Sequence, residues 1–237
     1  MLVSVIIPAL NEAQNIERCI ADARRQYAPE EVEIIVVDGG STDATTDLVP
    51  GDVTLLTSPR GRAVQLNRGA AAADGEIFVF CHADSFLPVG WREAVVDVLR
   101  APDVSGGTFQ TLILPANWML KIRNRWVFPP QWSIMFGDQV QFMRRETFEA
   151  VGGFPEIPLM EDVEMSRSLH EAGRLVRIDS DVRVITSARR FAERGYLRQS
   201  LLNGWNMFRY LNLGAMPEQI ARSYRSSREE TASEAQA

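Results

Sequence analysis

An α/β fold built on a mostly parallel sheet is what this sequence predicts, and three observations carry the prediction. Strand-like and helix-like stretches alternate from residue 2 to residue 101. The strand-like stretches are apolar throughout, as in "VEIIVVD", so each strand is covered on both faces. The chain has 237 residues, 46% of them hydrophobic and 24% charged, which is enough for a substantial core.

The elements follow in order. "LVSVII" predicts a first strand ending at Pro8. "EAQNIERCIADARRQ" places Ile16, Cys19, Ile20 and Ala23 at helical spacing. "VEIIVVD" is a second strand, and "STDATTDLV" predicts a short helix with Ser41 as its N-cap. "VTLLTS" is a third strand, "GRAVQLNRGAAAA" an alanine-rich helix, "EIFVFCH" a fourth strand, and "GWREAVVDVLRA" a helix stopped by Pro102. The second half is less regular. "SGGTFQTLIL" predicts a strand, and "NWMLKIRNRWVF" a helix closed by Pro129 and Pro130. "GDQVQFMRRETFEAVGGF" reads as strand then short helix, and "MEDVEMSRSLHEAG" as a helix with Gly173 as its C-cap. "RLVRIDSDVRVITS" is a long strand or a hairpin, "RGYLRQSLLNGWNMFRYLN" an aromatic-rich amphipathic helix, and the polar tail 226–237 is expected to be disordered.

Right-handed crossovers bring the C-terminal ends of parallel strands to one edge, where such sheets bind ligands. The polar residues after strands 1, 2 and 4 therefore gather there: Asn11 and Glu12, Asp38, and His82-Ala83-Asp84. Neither "DGGSTD" nor "SPRGRAVQ" is a dinucleotide fingerprint or a P-loop. The edge carries carboxylates instead, Glu12, Asp38 and Asp84. These can accept from ribose hydroxyls or a base N–H, or hold Mg²⁺ or Mn²⁺ that in turn holds phosphates. That describes a nucleoside diphosphate site.

Composition excludes other classes. With a net charge of −6, no basic excess points to nucleic acid as a general partner. Cys19 and Cys81 lack CxxC spacing, which suits a reducing compartment and argues against a disulfide framework or a zinc site. "MLVSVIIPAL" has no basic leader, and no apolar run is long enough to span a bilayer, so the chain is expected to be cytoplasmic, at most peripheral to a membrane.

"SVIIPALNEAQNI", "IIVVDGGSTDAT", the strand leading into His82-Ala83-Asp84, and "GGFPEIPLMEDVEMSRSLHEAG" resemble, in order, the family 2 glycosyltransferases of GT-A fold. The resemblance runs from residue 3 to about 190. "SPRGRAVQLNRGAAAA" and "TSARRF" resemble a short bacterial subgroup associated with arsenosugar or other small-molecule glycosides. The implied architecture is one GT-A domain over 1–225: a Rossmann-like, mostly parallel sheet flanked by helices, with a nucleotide-binding half at 1–104 and a smaller mixed acceptor-side region at 105–225.

The resemblance implies roles residue by residue. Pro8, Ala9 and Glu12 would cup the nucleoside. Asp38 would receive the N3–H of a uracil, with Gly39 letting the base approach the backbone; capping of its own turn is the rival reading. Arg60 or Arg62 would reach the diphosphate. Asp84 closes a D-x-D metal motif whose first aspartate is His82 here, with Ala83 between, so a divalent cation, Mn²⁺ or Mg²⁺, is implied. Asp162 would be the general base of a single inverting displacement, and Glu161 would position the acceptor or raise the pKa of the base. Asp138 and Gln139 could bind sugar hydroxyls. Arg189 and Arg190 resemble a basic pair that closes over the diphosphate. The implied donor is a UDP-sugar, and the implied acceptor a small molecule or a lipid.

Two rivals stand beside this reading. A sugar-1-phosphate nucleotidyltransferase opens with a Gly-rich basic loop that "PALNEAQN" lacks. A non-catalytic nucleotide-sugar-binding or scaffold subunit is supported by His82 alone. Separately, Leu197, Leu201, Trp205 and Phe208 fall on one helical stripe near Arg194, Arg198 and Arg209, a pattern that can either pack on the domain or lie on a membrane surface.

Overall fold

The computed structural model describes residues 1–114, 135–178, 182–187 and 196–222. In chain order the elements are β1 (Val3–Ala9), α1 (Ile16–Arg24), β2 (Val32–Asp38), β3 (Thr54–Thr57), α2 (Arg62–Ala72), β4 (Ile77–Phe80), β5 (Ser85–Phe86), α3 (Trp91–Leu99), β6 (Val104–Phe109), β7 (Thr111–Leu114), a 3-10 turn (Gly137–Gln139), β8 (Gln141–Arg144), α4 (Arg145–Ala150), α5 (Glu161–Ala172), β9 (Arg174–Ile178), β10 (Val184–Ser187) and α6 (Tyr196–Leu213).

The larger sheet has the order β3-β2-β1-β4-β8-β6-β9. Strands β3, β2, β1 and β4 run parallel, β8 is antiparallel to both β4 and β6, and β6 pairs parallel with β9. Side chains of β1 leave alternately to two cores. Val3, Val5 and Ile7 pack with α1 and α3, including the fully buried Trp91. Ile6 faces the other way, with Leu66 and Ala70 of α2, Phe148 of α4, and Met165 and Leu169 of α5. The result is the α/β fold the sequence predicts: a mostly parallel sheet between two helical layers.

Three expectations are corrected. Residues 41–49 form successive turns, not a helix. Asp43 accepts hydrogen bonds from the Thr45 backbone N–H and hydroxyl, so side chains there compete with the helical ladder. The stretch 105–114 is two strands, split at Gln110, because β7 leaves for a second sheet of order β5-β10-β7. The stretch 174–187 is not a hairpin: β9 edges the large sheet, whereas β10 pairs parallel with β7 and antiparallel with β5. The predicted helix at 117–128 lies outside the described residues.

Candidate active site

Parallel pairing brings the C-terminal ends of β1, β2 and β4 side by side, with Ala9 opposite Asp38 and Ile6 opposite Phe80. The loops that follow β1 and β2 are stitched together. Asn11 N–H donates to Ser41 Oγ at 2.9 Å, Thr42 N–H to Asn11 Oδ1 at 2.8 Å, and Glu12 N–H to Thr45 Oγ1 at 2.8 Å. Asn11 itself has a φ of 56°. Ser41 thus ties two loops rather than capping a helix.

Asp38 ends β2 and is buried, and its carboxylate accepts from Gly40 N–H at 2.9 Å and Ser41 N–H at 3.0 Å. It therefore shapes its own turn, which was the rival reading of its role, and that also fixes its direction at the sheet edge. Gly39 also lies close against α2. A Cβ there would meet the Gln65 amide at 3.0 Å. Gln65, buried on α2, donates from Nε2 to both Ala9 O and Val37 O at 2.8 Å each and so bars the ends of β1 and β2 together. Two residues further on, Asn67 grips the Phe154 backbone at both groups, donating to O at 2.8 Å and accepting from N–H at 2.9 Å.

The same helix begins at Arg62, which forms an ion pair with Glu161, the first residue of α5. Glu161 is 1% exposed. Burial pulls the Arg62 pKa down, but the charges of Glu161, Asp162 and Asp138 more than offset it and hold the guanidinium above the ordinary arginine value. Arg60, by contrast, is exposed.

Asp162 follows at the α5 N-terminus. Its Oδ2 accepts from Gly137 N–H at 2.8 Å and its Oδ1 from Val163 N–H at 2.9 Å, so both oxygens have a set direction. Gly137 is also where the His82 ring arrives. A Cβ on Gly137 would lie 2.6 Å from that imidazole and 3.5 Å from Asp162 Oδ2, so His82 and Asp162 flank one point, and only glycine leaves it open. The backbone around this point is strained. Val140 has a φ of 55° and Met160, the N-cap of α5, a φ of 73°. For a β-branched residue such as Val140 this is an outlier, and such outliers gather at functional sites.

The other predicted residues are placed as follows. Pro8 and Ala9 end β1, and Glu12 lies in the stitched loop, where Asn15 Nδ2 donates to its Oε2 at 2.8 Å. Asp138 sits in the 3-10 turn, its backbone O accepting from Thr186 Oγ1 at 3.2 Å, and its charge reaches Arg62. Gln139 is buried and uses Oε1 to accept from Phe136 N–H at 3.2 Å, closing its own turn. Ala83 and Asp84 are buried after β4. Arg189 and Arg190 lie outside the described residues.

Cys19 and Cys81, distant in sequence, are buried side by side with Sγ atoms 4.0 Å apart and unbonded. The hydrogen bond to Cys81, then burial, then nearby charge including Asp84, raises the Cys19 pKa well above that of a free thiol.

A divalent cation can be judged against the donors present. Among the described residues no group of three or more His, Cys, Asp or Glu could hold a metal ion alone. His82 and Asp84 offer one imidazole nitrogen and one carboxylate. Mg²⁺ and Mn²⁺ are commonly held by one or two protein donors and completed by substrate phosphates, and an imidazole donor favours Mn²⁺ over Mg²⁺.

Among the described residues, the α/β fold brings Arg62, Glu161, Asp162, Asp138 and His82 together around Gly137. Residues 4–154 match the model for glycosyl transferase family 2, and the chain belongs to that family. Among curated relatives, glycosyltransferase AglE of Haloferax volcanii is 26% identical over 81% of this chain and 68% of its own length. The succinoglycan biosynthesis protein ExoA of Rhizobium meliloti is 29% identical over 71% of this chain and 58% of its own. The fold is GT-A. TarS of S. aureus, solved with UDP-GlcNAc, superposes with a TM-score of 0.65 at 17% identity, covering 79% of this chain and 58% of TarS. The mannosyltransferase PcManGT of Pyrobaculum calidifontis, solved with GDP-Man and Mn²⁺, has a TM-score of 0.61 at 26% identity, covering 87% of this chain and 60% of its own. The chain thus spans little more than half to about two thirds of the lengths of these relatives.

Proposed function

We propose that this chain is an inverting glycosyltransferase that moves a sugar from a nucleotide-sugar donor, UDP-linked in the first instance, to a hydroxyl of a small-molecule or lipid acceptor. The observation that carries the reading is Asp162: a carboxylate with both oxygens directed by backbone N–H groups, facing the point that His82 also flanks. Family membership over residues 4–154 supports it. So do structural neighbours solved with UDP-GlcNAc and with GDP-Man, which leave the base of the donor to be measured. The narrower likeness to an arsenosugar-associated subgroup rests on "SPRGRAVQLNRGAAAA" and "TSARRF" alone.

In this reading Asp38 and the stitched loop around Asn11 and Glu12 hold the nucleoside. Asp162 takes the proton of the acceptor hydroxyl as its oxygen attacks the anomeric carbon. The bond from that carbon to the diphosphate oxygen breaks, its electron pair leaves with the diphosphate, and configuration inverts. Arg62 keeps Glu161 turned away from the acceptor and adds positive charge near the leaving group. His82 and Asp84 would hold a divalent cation, whose chemistry when bound is to neutralise diphosphate charge. A non-catalytic nucleotide-sugar-binding subunit is the alternative. It predicts binding without turnover.

The test is a thermal-shift screen of UDP, GDP and their sugars with and without Mn²⁺, followed by release of nucleoside diphosphate from each donor that stabilises the protein. Stabilisation by one nucleotide class and turnover of its sugar would support the reading; no stabilisation by any of them would refute it.

A further inference from the structure

Helix α6 has two unlike faces. Its inner face lies against the site: Met207, Tyr210 and Leu211 pack with Met160, Val163 and Ile220, and Tyr210 Oη donates to Glu164 Oε1 at 2.6 Å. Met160 and Val163 bracket Glu161 and Asp162 in sequence, so α6 braces the helix that carries the proposed base. On its outer face and just beyond, Leu201, Trp205, Phe208, Leu213 and Met216 are 72%, 57%, 47%, 61% and 58% exposed. Positions 201, 205 and 208 form one stripe along the helix. The Trp205 and Phe208 rings stack with centroids 5.9 Å apart. Single exposed apolar side chains are ordinary, but a contiguous patch marks a surface that something covers.

We propose that this face seats the protein on an anionic lipid bilayer. Charge selects the bilayer over a second copy of the chain. The protein has 31 acidic and 25 basic residues, yet α6 contains no Asp or Glu and does contain Arg198 and Arg209. An acidic protein that keeps every carboxylate off an 18-residue helix, and places exposed Trp, Phe and Leu there, matches the pattern of helices that lie in the membrane interface. Indole and phenyl rings favour the headgroup level, and arginines meet anionic lipid. Among the described residues no helix is long and apolar enough to cross a membrane, so contact through α6 would be in the interfacial plane. The docking rests on this surface alone. Its consequence, that the acceptor hydroxyl is presented on a lipid, rests on the transferase reading.

The test is flotation of the full chain with phosphatidylcholine vesicles, with and without phosphatidylglycerol. The wild type is expected to float with the anionic vesicles and poorly with the neutral ones. The triple variant Leu201→Ser, Trp205→Ser, Phe208→Ser should lose about tenfold or more of the bound fraction, and Arg209→Glu should lose part of it. All four positions lie outside the inner apolar cluster, and an unchanged melting temperature would show that each variant is folded. The proposal is overturned if the wild type stays with the unbound protein, or if the triple variant floats as well as the wild type. It is equally overturned if the wild type elutes as a dimer where the triple variant is a monomer, which would make the face a self-association surface. Nucleotide-induced stabilisation measured on the same samples reads the transferase proposal separately, because the variants leave the inner face of α6 and the residues proposed to hold the nucleotide unchanged.

Discussion

The loops after β1 and β2 are held by many hydrogen bonds, Asn11 to Ser41 and Thr42, Glu12 to Thr45, Asp38 to Gly40 and Ser41. The N-terminus of α5 is held differently: Arg62 pairs with Glu161 and feels the charges of Asp162 and Asp138, with strained backbone at Val140 and Met160. The first region spreads its stability over replaceable contacts. The second includes a buried carboxylate, Glu161, paired with Arg62, and a point at Gly137 that only glycine leaves open. Helix α2 joins them, with Arg62 at the acidic end and Gln65 under the stitched loops. In the proposed function the first region holds the nucleoside and the second carries the carboxylate that takes the proton.

That contrast can be broken by substitution. Arg62→Met leaves Glu161 buried and unpaired and should cost about 3 kcal/mol of stability in urea unfolding. Adding Glu161→Met to that variant should restore most of the loss, because the carboxylate left without Arg62 is then gone. If Arg62→Met alone is harmless, the acidic side is not organised by this pair. Gly137→Ala pushes a methyl group into the His82 ring and should cost about 2 kcal/mol, with a larger loss of turnover than of nucleotide affinity. Gln65→Leu removes two hydrogen bonds to strand ends and should cost about 1.5 kcal/mol. Asn11→Ala, in the network of many contacts, should cost about 1 kcal/mol or less. Should Asn11→Ala prove worse than Arg62→Met, the contrast is reversed. The smallest effect concerns Cys19 and Cys81: buried thiols, with the Cys19 pKa raised, should react with a disulfide reagent far more slowly in native than in unfolded protein.

How much of this was legible in the sequence depends on the kind of signal. The strands were legible because two-faced burial writes uninterrupted apolar runs, as at 32–38. That Asp38 and His82-Ala83-Asp84 follow strands at the same edge of the sheet was legible from parallel topology alone. The turns at 41–49 were misread as a helix because Ser41 fits an N-cap, while the Asp43-to-Thr45 bonds that prevent the helix are local and weakly marked. Gln65 was missed as a polar residue in an alanine-rich helix. Its phase gives it away: it lies four residues before Gly69, whose Cβ would strike Ile6 at 2.4 Å, so it stands on the packed face. The Arg62–Glu161 pair spans 99 positions and leaves no local pattern. Nor do the positive φ values at Val140 and Met160, where the side chains themselves argue against that conformation.

The account's central claim is that the Asp162 carboxylate, not the fold around it, moves the proton. Asp162→Asn keeps the shape and one oxygen acceptor but removes the base. Side-by-side calorimetric titration with nucleoside diphosphate and measurement of donor turnover should show unchanged nucleotide affinity and turnover reduced about 10³-fold. Turnover equal to that of the wild type, with affinity equally unchanged, would contradict the claim.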